Sequence, residues 1–178
     1  MRVISGTYRG KKLECIEGEN TRPTTDRVKE NMFNLIMFDV VGANVLDLFS
    51  GSGSLGIECL SRGANHVDFN DNNIESVNII KKNLTNIKAD FNVYSTDYKS
   101  FLNKKSGANY SLIFVDPPYC FNIENELLDN FIQKNILDVG GLVVYESNKE
   151  LIFDNANYEL VKSKKYGITY VNIIRRIS

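Results

Sequence analysis

A chain of 178 residues with 43% hydrophobic and 24% charged side chains has the length and balance of one ordinary globular domain. No apolar run approaches the roughly 18 residues that a membrane span needs, and no apolar leader opens the chain, so we expect a cytoplasmic protein. The net charge of −1 does not by itself favour a nucleic-acid partner. However, residues 1–12 and 162–178 are basic and contain no acid, so they could contact a phosphate backbone or simply be solvated.

Metal and disulfide chemistry are not indicated by the sequence. The cysteines Cys15, Cys59 and Cys120 are far apart and odd in number, and His66 is the single histidine. No pair among these four residues has metal-ligand spacing. We therefore predict no metal site, and we assign these side chains to packing or to the surface.

In chain order, residues 2–16 alternate around Gly6 and Gly10 and predict a β-hairpin. A helix is expected to begin at Thr24-Thr25-Asp26, with apolar residues at helical spacing after it. Beyond Gly42, strands and helices alternate. The predicted strands are 44–49, 66–70, 91–95, 111–115 and 142–146, and the predicted helices are 54–61, 73–86, 98–103 and 123–135. Two last strands, 158–165 and 169–177, meet at a turn at Gly167.

Alternating strands and helices predict an α/β fold, with a mostly parallel sheet that carries helices on both faces. Seven strands with a closing antiparallel hairpin match the Rossmann-like class I methyltransferase architecture. We therefore expect a single domain over residues 1–178, in which 1–41 form an N-terminal hairpin and helix extension and 42–178 form the Rossmann-like core.

A glycine-rich segment follows the first strand of this core. Gly51, Gly53 and Gly56 have the spacing G-x-G-x-x-G, in which glycines let the backbone turn tightly and approach a ligand. Asp71 follows Gly51 by about 20 residues, where either a dinucleotide or S-adenosylmethionine requires an acid for its ribose hydroxyls. Spacing alone therefore leaves both cofactors open.

Two features favour S-adenosylmethionine over a dinucleotide. Asp47 ends the strand before the glycines, where a carboxylate would repel a pyrophosphate but suit the ammonium of a methionine moiety. A dehydrogenase also needs a substrate domain, and no residues remain for one. Asp97 ends the third strand, where an acid can accept a hydrogen bond from the adenine amino group or can cap the next helix.

The segment Asp116-Pro117-Pro118-Tyr119 follows the buried strand 111–115. A base amino group is a poor nucleophile because its lone pair is delocalised into the ring. The Asp116 carboxylate and the Pro117 carbonyl could accept hydrogen bonds from its two N–H groups. These bonds would orient the lone pair and stabilise the developing positive charge. Tyr119 could stack on the base, which must be unpaired or flipped out to reach this pocket. We therefore predict Asp116, Pro117 and Tyr119 as catalytic residues.

The chain resembles the RsmD-type methyltransferases of bacterial small-subunit ribosomal RNA, nearly from end to end. The resemblance is carried by residues 2–6, 9–13, 21–30, 46–56, 61–64 and 116–119. It implies N2-methylation of one guanine of 16S rRNA, guanine 966, on the small subunit or a late assembly intermediate, by a monomer. The cofactor residues that it implies are Asp47, Phe49, Gly51, Gly53, Asp71, Asp97 and Tyr98. The RNA contacts that we predict are Arg9, Lys11, Lys12, Arg22, Thr24 and Arg27. Asp71 departs from the family pattern, because glutamate is usual there.

Three alternatives remain at this stage. A DNA amino-methyltransferase uses the same Asp-Pro-Pro-Tyr chemistry, but it normally carries a target-recognition domain for which this chain has no room. A non-catalytic RNA-binding or assembly protein would not need both an intact glycine loop and an intact catalytic motif. A nicotinamide oxidoreductase is the third alternative, and Asp47 argues against it.

Overall fold

The computed structural model describes residues 1–15, 26–118 and 123–178. Within these ranges, seven strands form one sheet in the order β3-β2-β1-β4-β5-β7-β6. The strands are β1 (Asn44–Asp47), β2 (His66–Asp71), β3 (Phe91–Ser95), β4 (Tyr110–Val115), β5 (Leu137–Ser147), β6 (Tyr158–Tyr166) and β7 (Thr169–Arg176). The described helices are α1 (Asp26–Leu35), α2 (Met37–Val40), α3 (Ser54–Ser61), α4 (Ile74–Asn83), α5 (Tyr98–Lys104) and α6 (Glu124–Gln133).

The first five strands are parallel, and β7 runs antiparallel to β5 and β6. Strand order reverses at β1 and β4, which are neighbours in the sheet although they are separated in the chain. In such sheets a crevice opens beyond the carboxyl ends of the strands at this point. We call the edge where β1 to β5 end the carboxyl edge, and the opposite one the amino edge. The predicted α/β fold class is confirmed.

Two apolar layers hold the helices on the sheet. One face packs against α1, α3 and α4 through side chains such as Phe33, Ile57, Ile80 and Phe114. The other face packs against α5 and α6 through a second set that includes Leu46, Phe101, Ile113, Leu127 and Phe131. Full burial of one such side chain contributes about 1.5–3 kcal/mol, so both helical layers are firmly attached.

Element boundaries agree with the prediction to within a few residues, except at β5. This strand begins at Leu137 rather than Leu142. Gly140 and Gly141 therefore lie within the strand, whose pairing with β4 shifts register between Tyr110 and Leu112. The predicted start of the first helix, Thr24-Thr25, lies outside the described residues.

The N-terminal extension forms the expected hairpin in reduced form, with one isolated bridge between Arg2 and Lys12. Glu58 of α3 anchors it, because its two carboxylate oxygens accept hydrogen bonds from the backbone N–H groups of Ile4 (2.8 Å) and Ser5 (3.0 Å). The ammonium of Lys29 lies 3.5 Å from Glu58 and donates to the Arg2 carbonyl at 2.7 Å. Burial lowers the pKa of Lys29, and Glu58 opposes that effect.

None of the helices in the described part of the chain is long and apolar enough to cross a membrane.

Candidate active site

The glycine loop after β1 turns through two residues with left-handed backbone angles. Gly51 has φ +53° and Gly53 has φ +77°, a region that residues with a side chain rarely adopt. A Cβ atom built on Gly51 would meet nothing within 4 Å, so the loop presents open backbone at this point. A Cβ on Gly56 would lie 2.3 Å from Cε1 of Phe69, so this third glycine allows α3 to pack closely on β2.

Asp47 is almost completely buried at the end of β1, with 2% of its surface exposed. Its Oδ2 accepts a hydrogen bond of 3.0 Å from the backbone N–H of Gly56. Burial raises the pKa of Asp47 to about 7, and Asp116 and Asp71 add to the rise while the Gly56 bond opposes it. A cation beside Asp47 would therefore be strongly favoured, since it would relieve the desolvation of the carboxylate.

Asp71 ends β2 and fixes the glycine loop. Its Oδ2 accepts from the N–H of Gly51 and its Oδ1 from the N–H of Asn73, each at 2.8 Å. A carboxylate offers about four acceptor sites, so these two bonds leave capacity for ribose hydroxyls. Asp71 thus has a structural role that the sequence did not indicate, and its ribose contact stays a prediction.

Phe49 and Tyr98 form an aromatic pair at the carboxyl edge, with ring centroids 5.6 Å apart. The hydroxyl of Tyr98 donates to Oε1 of Glu126 at 3.3 Å. The structure shows Asp97 as the N-cap of α5, because its Oδ1 accepts from the N–H of Ser100 at 2.9 Å. Hydrogen bonds from the backbone and the side chain of Ser100 lower the pKa of Asp97. An adenine contact for Asp97 and Tyr98 remains a prediction.

Asp116 follows β4 directly, with its side chain partly buried, and the next residue, Pro117, is buried. Phe114 is paired with Asp47 across the β1–β4 ladder, so Asp116 lies two residues beyond that pair on the same face of the sheet. Burial raises the pKa of Asp116 to about 6. The two aspartates therefore meet at the switch point, as the predicted topology requires.

Two residues at the end of β5 enlarge this site beyond the prediction. Tyr145 and Glu146 line a cleft with Pro117 and Pro118, and both are buried. Burial raises the pKa of Tyr145, and Glu124 and Asp116 add to the rise. The signal that could have identified Glu146 is an acid at the end of an apolar strand, the pattern shared by Asp47 and Asp116.

Three of the predicted RNA residues lie in the N-terminal hairpin, away from the cleft. The turn that holds Arg9 packs on the end of α3, where the N–H of Thr7 donates to the Ser61 carbonyl at 2.8 Å. The ammonium of Lys11 donates to the Thr85 carbonyl at 2.9 Å. Both contacts belong to connections at the amino edge, so Arg9 and Lys11 are not brought to the Asp116 site. Lys12 is exposed in the bridge that closes this hairpin.

The remaining predicted site residues are placed only in part. Arg27 is exposed in the first turn of α1. Arg22, Thr24 and the catalytic candidate Tyr119 lie outside the described residues, as does Cys120. Within the ranges that the structure describes, no group of three or more His, Cys, Asp and Glu residues is placed to hold a metal ion.

Comparison with known proteins identifies related chains. A family model described as "Conserved hypothetical protein 95" matches residues 1–175. The Bacillus subtilis protein YlbH is 38% identical over 182 residues, which cover 99% of each chain. The protein named "Ribosomal RNA small subunit methyltransferase D" of Haemophilus influenzae is 35% identical over 94% of this chain and 90% of its own length. The solved structure of Escherichia coli yhhF superposes with a TM-score of 0.90 at 34% identity, covering 99% of this chain and 98% of that one.

Proposed function

This chain belongs to the Conserved hypothetical protein 95 family, and from that premise we propose that it transfers a methyl group from S-adenosylmethionine to N2 of guanine 966 in 16S ribosomal RNA. The class of enzyme follows from its relatives: it is an S-adenosylmethionine-dependent RNA methyltransferase. We further propose that a monomer acts on the small subunit or a late assembly intermediate.

The observation that carries the proposal is the convergence of two strand-end carboxylates, one buried and one partly buried, at the switch point of the sheet. Asp47 ends β1 beside the glycine loop, and Asp116 follows β4 on the neighbouring strand. One carboxylate would bind the cofactor and the other the amino group. The two reactants of a methyl transfer would therefore meet between adjacent strands.

The residues of the loop fit S-adenosylmethionine in charge and shape. Asp47 and Asp71 concentrate negative charge beside the glycine loop, and Asp71 adds to the rise that burial causes in the pKa of Asp47. A sulfonium and an ammonium would compensate that charge, whereas a pyrophosphate would increase it. The open space at Gly51 lets a ligand approach the backbone, and the Phe49–Tyr98 pair offers an apolar surface for an adenine ring. The bound cofactor would supply an electrophilic methyl group.

Asp116 and Pro117 would act on the target base. The Asp116 carboxylate and the Pro117 carbonyl would accept hydrogen bonds from the two amino N–H groups of guanine and turn its lone pair toward the methyl group. As the C–N bond forms and the bond from methyl to sulfur breaks, positive charge develops on nitrogen, and the carboxylate stabilises it. The proton that nitrogen then loses would pass to Asp116, whose pKa near 6 suits it to hold a proton briefly and release it to water.

The test is transfer of label from radioactive S-adenosylmethionine. Purified protein should label small ribosomal subunits that lack the modification, and it should not label duplex DNA. Labelling of duplex DNA alone would favour a DNA amino-methyltransferase. Tight cofactor binding without any transfer would favour a non-catalytic protein and would contradict the proposal.

A further inference from the structure

Three lysines lie on the edge strand β6 close to the turn at Gly167. Lys162, Lys164 and Lys165 are all exposed, and no ion pair joins any of them to a described acid. We infer that this group, the β6 lysines, binds the phosphate backbone of RNA next to the target base. The inference rests on the proposed function, because it names a contact surface for the same RNA substrate.

Strand register places the β6 lysines beside the active site. Val115, which precedes Asp116, is paired with Tyr145, which is paired with Asn172, which is in turn paired with Ser163. Ser163 lies between Lys162 and Lys164, so the lysines are three strand spacings from β4, or about 14 Å. An extended single strand can cross such a distance, so a base in the cleft and its neighbouring phosphates could be held together.

The direction of the hairpin supports the same placement. Because β7 runs antiparallel to β5, Tyr170 at its start is paired with Ser147 at the end of β5. The turn at Gly167 therefore projects from the carboxyl edge, the edge to which Asp116 belongs. The ammonium nitrogen of Lys165 also lies over the ring of Tyr170, 5.0 Å from its centroid. This contact orients one of the three lysines at the carboxyl edge.

The acidic residues of the cleft make a positively charged surface nearby necessary for RNA binding. Asp47, Asp71, Asp116 and Glu146 all lie at the carboxyl edge and would repel the phosphates of an approaching RNA. Two other lysines at this edge are already partnered: Lys149 lies 3.7 Å from Glu124 and Lys99 lies 3.0 Å from Glu126. No ion pair joins the β6 lysines to a described acid, so they could meet the phosphates.

A simpler explanation is that these lysines only protect a free sheet edge from pairing with other chains, which is a common role of lysine on edge strands. If the lysines only protected the free edge, charged residues would be expected along the whole of β6. In β6 the half near the amino edge contains Glu159, which lies 3.7 Å from Arg175, followed by the exposed apolar residues Leu160 and Val161. The unpaired positive charge is confined to the half beside the active site, which favours a ligand-binding role.

The test compares two double variants that each remove two positive charges. Lys162→Ala/Lys164→Ala removes two β6 lysines, and Lys81→Ala/Lys88→Ala removes two exposed lysines on α4 and the turn after it. Binding to a naked RNA stem-loop with guanine in its loop would be followed by fluorescence anisotropy at several salt concentrations. For single-stranded RNA each phosphate contact changes the salt slope by about 0.7, which corresponds to about fivefold in affinity at ~0.1 M salt.

We expect the β6 double variant to bind the stem-loop about 25-fold more weakly at ~0.1 M salt, with a salt slope reduced by about 1.4. The α4 variant should bind as the wild type does, Lys162→Arg/Lys164→Arg should retain affinity, and the affinity for S-adenosylmethionine should be unchanged in all three. Equal weakening in both alanine variants would overturn the inference in favour of a general charge effect.

A second comparison separates this inference from the proposed function. If the wild type fails to methylate small subunits, the proposed function fails. If the wild type methylates them and the β6 variant binds the stem-loop normally, only the present inference fails. Normal stem-loop binding combined with a raised KM on whole subunits would assign the surface to a ribosomal protein rather than to RNA.

Discussion

Replacing Asp116 with asparagine should remove the charge that stabilises the transition state while leaving the cofactor in place. Asparagine keeps the size of the side chain and one acceptor oxygen, and no hydrogen bond links the Asp116 carboxylate to another described residue. The fold should therefore tolerate the change. Loss of one preorganised electrostatic group of this kind costs about 2.7–4 kcal/mol, or about 10²- to 10³-fold in kcat.

The assay is single-turnover methyl transfer to small ribosomal subunits, with cofactor affinity measured separately by calorimetry. Asp116→Asn should lower the rate by about 10²- to 10³-fold and change the Kd of S-adenosylmethionine less than about threefold. Asp47→Asn is the matched control, since it alters the other strand-end aspartate, and it should weaken cofactor binding first. Parallel loss of cofactor affinity and turnover in Asp116→Asn would refute the role assigned to Asp116.

The pH dependence gives a second readout of the same residue. The active form of Asp116 is the carboxylate, and burial raises its pKa to about 6. With S-adenosylmethionine saturating, the wild-type rate should be constant above that pH and fall about tenfold per unit below it. The acid limb should disappear in Asp116→Asn; if it persists there, another group controls it.

Three further predictions concern stability. Gly56→Ala should lower the free energy of unfolding by about 1–3 kcal/mol in thermal melts, since its Cβ would lie 2.3 Å from Phe69; an unchanged melt would contradict the tight packing of α3 on β2. Glu58→Gln should cost about 3–5 kcal/mol, because it leaves the buried Lys29 without its counter-charge, whereas the exposed Glu75→Gln should be neutral. The ring nitrogens of His66 lie 2.8 Å from Asp68 Oδ1 and 2.7 Å from Asp90 Oδ2, and the protonated ring donates to both; burial opposes its charge, but these bonds raise its pKa overall. The stabilisation of the fold by protonated His66 should be complete below the pKa of His66 in the unfolded chain, and it should be lost as the pH rises through the pKa of His66 in the folded protein. Asp90→Asn should reduce this pH dependence of the free energy of unfolding.

The positions of the cofactor loop and the catalytic strand follow from local sequence. A short apolar strand that ends in an aspartate and continues into spaced glycines has few ways to fold, because left-handed angles at Gly51 and Gly53 exclude most other residues. The alternation of strands and helices then fixes which strand ends are adjacent. Asp47 and Asp116 could therefore be assigned to one edge from the sequence.

Features that depend on contacts between distant parts of the chain could not be predicted from the sequence. The predicted fifth strand began at Leu142, yet pairing of Leu137 with Tyr110 of β4 extends the strand back through Gly140 and Gly141. Basic residues at the two ends of the chain looked equivalent as a pattern. The structure separates them: hydrogen bonds to the end of α3 hold the turn that contains Arg9 at the amino edge, whereas the β6–β7 register places Lys164 beside the cleft. The second role of Asp71, as an anchor of the glycine loop, likewise depends on how β2 packs beside β1.

The most direct measurement for the central claim is identification of the methylated nucleoside. Small subunits lacking the modification would be incubated with the protein and S-adenosylmethionine, digested to nucleosides and analysed by mass spectrometry, with the position mapped on 16S rRNA. We expect N2-methylguanosine at one position, guanine 966, and its absence with Asp116→Asn. Methylated adenosine or cytidine as the product, or methyl groups spread over many guanines, would contradict it.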